Sequence, residues 1–208
     1  MIGIIDYEAG NLTSVARALN SLGLKSIISS DPDLLRKCDR IIFPGVGAAK
    51  SAMESLKKFG LDEFIREFFR EGKPILGICL GTQIIMEESE EDGGTKTLGL
   101  IPGRVKVFPK LMFWKDEKLK VPHMGWNSVE WLKSHPVIQG LHPDYEYYFV
   151  HSFYPLPEKE ELILGITFYG INFPSALSYK NLVAFQFHPE KSGSPGLKIL
   201  KNFSEWKV

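Results

Sequence analysis

Cysteine is nearly absent from this chain: Cys38 and Cys79 are the only two among 208 residues. Two thiols so far apart offer neither a disulfide framework nor the ligand spacing of a zinc cluster. No sign of charge is in excess either, because 25 basic and 25 acidic side chains cancel and no block of like charges occurs. An electrostatic footprint for nucleic acid or for a membrane surface is therefore missing. No run approaches the roughly 20 apolar residues that a bilayer crossing needs. The opening MIGIIDY reads as a short strand, without the charged start and long apolar core of an export signal, and neither a repeat nor a low-complexity tract is present. With 44% hydrophobic residues, the expectation is a soluble cytoplasmic protein with one domain over residues 1–208, suited to small, local chemistry. No metal site is implied, and Cys38 reads as structural.

Period and punctuation then give alternating strands and helices. Strands are expected at Ile2–Ile5, Ser26–Ser29, Arg40–Phe43 and Pro74–Ile78, with helices over Asn11–Leu22, over Ser51–Arg70 and after Cys79. Leu12, Val15, Ala16, Leu19 and Leu22 share one helical face, and Gly23 stands where a terminal glycine closes a helix. Apolar strands joined by helices imply a mostly parallel sheet covered on both faces, with a ligand site at the carboxyl ends of its strands. The second half is richer in β-branched and aromatic residues: LIPGRVKVFP, NSVEWL, YEYYFVHSFY, ELILGITFYG, PSALSYK and LVAFQFHPE read as strands of a mixed or antiparallel extension. Glu90–Lys96 reads as a surface loop. Leu197, Leu200, Phe203 and Trp206 predict a last helix over Ser194–Trp206 that packs back on the sheet.

Chemistry concentrates in PILGICLGTQ, where a buried strand turns at Cys79 into a helix. Gly77 and Gly81 flank the cysteine, as a tight strand-to-helix corner requires, and the corner pushes the central side chain out of the sheet. A helix start favours an anion, so Cys79 reads as a nucleophile. A cysteine nucleophile needs a base, and the base needs an orienting partner. FQFHPE supplies both, with His188 as general acid/base and Glu190 as the carboxylate that holds its tautomer, separated by a proline that limits their freedom. FPGVGA follows an apolar strand, and its backbone N–H groups at Val46 and Gly47, with that of Leu80, are candidate oxyanion donors. GVGAAKS also resembles a phosphate-binding loop, but Ala49 replaces the glycine before Lys50 and Pro44 occupies the first glycine position, so the backbone cradle is missing.

GICLGTQ, FPGVG and FQFHPEKS together resemble the triad-type, class I glutamine amidotransferases, over nearly the whole chain. PHMGWNSV, YYFVHSF and IGIIDYEAGNLTSV resemble, within that superfamily, the glutaminase subunits of imidazole glycerol phosphate synthase. PHMGWN is the discriminating string, although His123, Trp126 and Asn127 taken only as residue types read as a packed turn. The resemblance implies a flavodoxin-like α/β fold, a mostly parallel central sheet with helices on both faces plus the β-rich extension, and no cofactor. It implies glutamine as substrate, hydrolysed through a thioester on Cys79, and a (β/α)8-barrel cyclase as the partner that receives the ammonia.

By the same resemblance Gly45, Gln83, Glu91, Ser152 and Phe153 bind glutamine, though EESEED around Glu91 reads by itself as a solvated helix end. Trp126, Tyr148 and Lys191 resemble residues that gate ammonia at the partner interface, which Asn11, Ser14, His123 and Asn127 would share. Two positions depart from the family pattern. Glu8 stands where glycine is usual and Thr82 where methionine is commoner. A paralogous amidotransferase for surface-polysaccharide sugars, another cysteine hydrolase on the same scaffold and a noncatalytic binding module are the other readings the sequence leaves open.

Overall fold

The computed structural model describes residues 1–208. Its first half runs β1 (Ile2–Ile5), α1 (Leu12–Ser21), β2 (Ser26–Ser29), α2 (Pro32–Arg36), β3 (Arg40–Gly45), α3 (Ala49–Lys58), α4 (Leu61–Arg70), β4 (Ile75–Cys79) and α5 (Leu80–Ile84). The second half opens with β5 (Glu88–Ser89), β6 (Thr95–Lys96), β7 (Gly103–Val107), β8 (Phe113–Trp114), β9 (Glu117–Lys118), β10 (His123–Ser128) and β11 (Glu130–Trp131). It continues through β12 (Glu146–His151), β13 (Phe153–Pro157), β14 (Ile163–Phe168), β15 (Asn172–Tyr179), β16 (Leu182–Phe185) and α6 (Gly193–Glu205).

The main sheet has the order β11-β14-β15-β16-β4-β3-β1-β2. Its pairs from β16 to β2 are parallel, and β14, β15 and β11 add an antiparallel edge. Alternating side chains of the central strands enter two separate cores. Ile4, Ile42, Leu76 and Ile78 pack with Val15 and Leu19 of α1 and with Ile199, Leu200 and Phe203 of α6. Ile5, Ile41, Phe43 and Ile75 pack against Leu56 of α3 and Phe64 and Phe68 of α4. A strand buried on both faces needs apolar residues at every position, which is why these strands are continuous apolar runs. The chain ends are fastened at the amino edge of this sheet: the Met1 amine pairs with Asp39, and Arg40 Nη1 donates to the carbonyls of Phe203 and Trp206 at 2.5 and 3.0 Å.

Three expectations change. The helix expected over 51–70 is two helices, because Gly60 adopts a left-handed φ of 66° and breaks the run between Phe59 and Leu61. PHMGWN is not a packed turn; it is the extended strand β10, paired antiparallel with β12 so that Trp126 lies opposite Tyr148. Glu90–Lys96 is partly built in, with β5 and β6 enclosing a short 3-10 turn at Glu91–Gly93. A β8–β9 hairpin and the short α2 were not expected at all. The four-stranded sheet β13-β7-β5-β6 and the β10–β12 ribbon form the extension that the second half predicts.

Candidate active site

The parallel register sets β3, β4 and β16 side by side, so the chain segments leaving their carboxyl ends meet at one place. Cys79 is the last residue of β4 and has φ 53° and ψ −107°, a conformation that costs an L residue on the order of 1–3 kcal/mol and turns the chain sharply. The positive φ lies on the cysteine itself, and its flanking glycines serve a different need. A Cβ on Gly81 would stand 1.9 Å from the Phe43 carbonyl oxygen, and one on Gly77 would stand 3.0 Å from Ala184 Cβ. Both are small because α5 is seated directly on β3 and β16. Thr82 Oγ1 anchors the helix further by donating to the Phe185 carbonyl at 2.6 Å, a use for the hydroxyl at this departure from the family pattern.

His188 follows β16 and is held by backbone: its N–H donates to the Tyr148 carbonyl at 2.9 Å, and Ser192 Oγ donates to its carbonyl at 2.6 Å. Its Nδ1 lies 2.8 Å from Glu190 Oε1, with both side chains almost fully buried. A carboxylate there fixes the proton on Nδ1 and turns Nε2 outward. Nε2 makes no hydrogen bond of ordinary geometry. Burial opposes protonation of His188, but its contacts with Cys79 and Glu190 outweigh that and push its pKa up to about 10. The imidazolium is thus the stable form beside the sulfur.

Cys79 opens onto a cavity of about 300 Å³ whose walls include Val46, Gly47, Leu80, Gln83, Glu91, Ser152 and Phe153. Seven residues proposed from distant stretches of the chain are therefore brought together around the sulfur. Gly45 is not among them; it lies behind the wall, where a Cβ would come within 1.8 Å of the Tyr7 hydroxyl. Pro122, Val150 and His151 complete the lining and were not proposed. Glu91 is not a solvated helix end. Its Oε2 accepts from the Ala49 N–H at 2.6 Å, supplying the cap that Ala48 cannot give to α3, and burial raises its pKa despite that bond. Nowhere in the fold are three or more His, Cys, Asp or Glu side chains gathered to hold a metal ion.

Period-two alternation divides β10 into two faces. Met124 and Trp126 are exposed while His123 is buried, so His123 does not stand on the outer surface where the sequence set it. Asn127 is half-buried and reaches inward to His123 Nε2 at 3.3 Å. Trp126 and Tyr148 lie edge to face at 6.0 Å, and Lys191 Nζ sits 5.7 Å from the centre of the Tyr148 ring. Asn11 caps α1 by accepting from the Ser14 N–H at 3.3 Å, and Ser14 lines a shallow hollow that also touches Glu190. Glu8 has a left-handed φ of 63°, the conformation for which glycine is suited, and its carboxylate pairs with Lys58 at 3.0 Å. Met124, Gln186 and Tyr7 were missed. Alternation along β10 could have exposed Met124, whereas Gln186 sits inside FQFHPE with nothing local to show what its amide touches, and nothing local marks Tyr7.

The family model for class-I glutamine amidotransferases matches residues 3–206. The subunit of imidazole glycerol phosphate synthase called HisH from Maridesulfovibrio salexigens is 48% identical over 207 residues, covering 99% of this chain and 97% of that protein. The protein of the same name from Sulfurimonas denitrificans is 47% identical, covering 100% and 99%. Among solved structures, a glutamine amidotransferase crystal structure superposes with a TM-score of 0.72 at 19% identity, covering 98% of each chain. Thermotoga maritima PurLQS superposes with a TM-score of 0.74 at 16% identity, covering 98% of this chain and 97% of that one. At such identity the superpositions speak for the α/β fold alone. No helix is long and apolar enough to cross a membrane. By the match over almost its full length and by relatives so similar from end to end, this chain is an enzyme of the class-I glutamine amidotransferase family.

Proposed function

We propose that the chain is the glutamine-hydrolysing subunit of an imidazole glycerol phosphate synthase, a single domain whose catalytic residues are Cys79, His188 and Glu190. One observation carries the reading: a buried His188–Glu190 pair contacts Cys79, whose sulfur opens onto a cavity of about 300 Å³ lined by Gln83 and Glu91 among apolar side chains. The names of the full-length relatives support the synthase assignment.

The reaction follows from the arrangement. The Cys79 thiolate adds to the side-chain amide carbon of glutamine, and the carbonyl oxygen becomes an oxyanion. N–H groups of Val46, Gly47 and Leu80 receive it, and one such donor typically accelerates reactions of this kind by about 100- to 1,000-fold. His188, charged and steadied by Glu190, gives its proton to the departing nitrogen; the C–N bond breaks and ammonia leaves a thioester behind. The now neutral imidazole takes a proton from water, whose oxygen attacks the thioester and restores the thiolate and imidazolium with glutamate as product. Gln83, Glu91 and the backbone at Ser152 and Phe153 bind the polar groups of glutamine. Gly45 supports the strand behind the pocket.

Ammonia set free in bulk water at neutral pH mostly becomes ammonium, which has no lone pair for attack. A sealed path to the acceptor is therefore required, and a (β/α)8-barrel cyclase subunit covering the open side would supply it. The exposed Met124 and Trp126 beside Tyr148 and Lys191 are an apolar surface next to the site, suited to that contact. Asn11, Ser14 and Asn127 support this side of the molecule.

The test measures glutamate release by the chain with and without a barrel subunit and its acceptor. Cys79→Ala is expected to abolish release under both conditions while retaining the complex. Undiminished release by that variant would exclude the thioester route, and failure to associate with the barrel subunit would exclude the synthase assignment.

A further inference from the structure

Gln186 is completely buried between the base and the strand that carries it, and it uses both ends of its amide. Its Nε2 donates to Cys79 Sγ at 3.8 Å, the reach of an N–H bond to sulfur, while its Oε1 accepts from Gln83 Nε2 at 3.1 Å. Gln83 Nε2 also donates to the Phe153 carbonyl at 2.9 Å. That same carbonyl accepts from His151 Nδ1 at 2.7 Å. A carbonyl cannot donate, so His151 carries its proton on Nδ1 and its Nε2 must accept; His123 Nδ1 donates to it at 3.0 Å. His123 Nε2 is left as an acceptor for Asn127 Nδ2, which also donates to the Phe168 carbonyl. Burial keeps both rings neutral, lowering His123 to about 4 and His151 to about 3. Every ring nitrogen of this pair therefore has one role, and inverting either ring would break two bonds at once.

The sulfur has a second neighbour, the Val150 carbonyl at 3.9 Å, in the residue next to His151. A carbonyl accepts an S–H and so favours the thiol, whereas the Gln186 amide donates and favours the thiolate. The histidine pair joins the end of β12, through the Phe153 carbonyl and Gln83, to Gln186.

We propose that Gln186 is a positioning residue that holds Cys79 as a thiolate, and that the buried chain from Asn127 through His123, His151 and Gln83 ties this setting to strand β10. The proposal rests on the reading of Cys79 as nucleophile. Its functional sense is that displacement of the face bearing Met124 and Trp126 would change the reactivity of the sulfur without touching the triad. The titratable groups around the sulfur are His188, Tyr7, His151 and, across the cavity, Glu91; all four are retained in the variants below.

Alkylation of Cys79 by iodoacetamide, followed against pH in the full-length chain and assigned by peptide mapping to separate it from Cys38, tests this without glutamine. Gln186→Met keeps the volume and removes the donor; the alkylation profile is expected to move to higher pH, with the rate at pH 7 falling about tenfold, as for loss of one bond to a charged group. His123→Phe is expected to move it in the same direction by about threefold. The double variant is expected to match Gln186→Met rather than show the product of both effects. Asn127→Leu, at the half-exposed end of the chain, replaces His123→Phe if the latter does not fold. An unmoved profile in Gln186→Met overturns the positioning role, and multiplicative effects in the double variant overturn the chain. Because alkylation does not require glutamine, these outcomes are distinct from failure of the glutaminase reading, which would leave Cys79→Ala active.

Discussion

The parallel half of the main sheet and the β10–β12 ribbon both reach the site, but they are made differently. The ends of β4 and β16 supply Cys79 and His188 from strands buried on both faces, each flanked by neighbours that fix its register. The ribbon has only two strands, an arrangement marginal on its own in water. It keeps Tyr147, Phe149, His123 and His151 inside and leaves Met124 and Trp126 outside. Cys79 and His188 thus leave strands paired on both sides, while Val150 and His151 of the pocket wall belong to a ribbon whose other face is exposed.

The sharpest way to break this comparison is at His188. His188→Asn is expected to lower glutamate release by about 10⁴-fold, equivalent to about 5.5 kcal/mol of barrier, with or without a partner. Steady-state kinetics under both conditions checks it. The next effect is on stability. Gly81→Ala drives a Cβ to within 1.9 Å of the Phe43 carbonyl and is expected to cost more than about 3 kcal/mol in urea unfolding. Gly125→Ala in the ribbon meets no atom within 4 Å and has only its φ of 132° to oppose it, so about 1–2 kcal/mol is expected. Comparable losses at the two glycines would erase the distinction.

The two regions should also fail at opposite ends of the pH scale. His123 and His151 bind protons in the unfolded chain at about 6.5 but in the folded one only at about 4 and about 3. Their stabilisation is complete above pH 6.5 and declines as pH falls towards those values. His151→Gln is expected to flatten this acid limb by up to about 1.4 kcal/mol per pH unit. His188 has the reverse sign: raised to about 10, it contributes fully below pH 6.5 and loses its contribution as pH climbs through 10. Unfolding titrations from pH 4 to 10.5 on His151→Gln and His188→Asn separate the limbs. The smallest expected change is in Trp126→Ala, which is half-exposed and should alter stability by less than about 0.5 kcal/mol. In the complex it is expected to raise glutamate release per mole of cyclised product; an unchanged ratio removes the gate.

The parallel half was also the more legible one. Continuous apolar strands, Gly23, and the face of Leu12, Val15 and Leu19 pointed to their true partners because local pattern and burial agree there. The break at Gly60 was lost because an apolar periodicity continues on either side of a residue whose sign of φ is not visible in its neighbours. The pairing of His188 with Glu190 was legible because one short motif holds both residues. Gln186 lies inside that same motif, but its task depends on Cys79, 107 positions away. Glu91 was placed at the cavity only through the family resemblance, because an acidic run by itself looks the same whether it meets water or the start of a helix from another part of the chain.

Fastening both termini to Asp39 and Arg40 has a practical side. These residues stand at the start of β3, whereas the cavity adjoins its far end at Val46 and Gly47. A six-residue strand lies between, on the order of 20 Å. An affinity tag or fluorophore attached at either extremity would sit beyond the reach of the reaction and would report on it only through long-range energy transfer. A genetic fusion to a protein covering the cavity would need a linker long enough to go around the sheet.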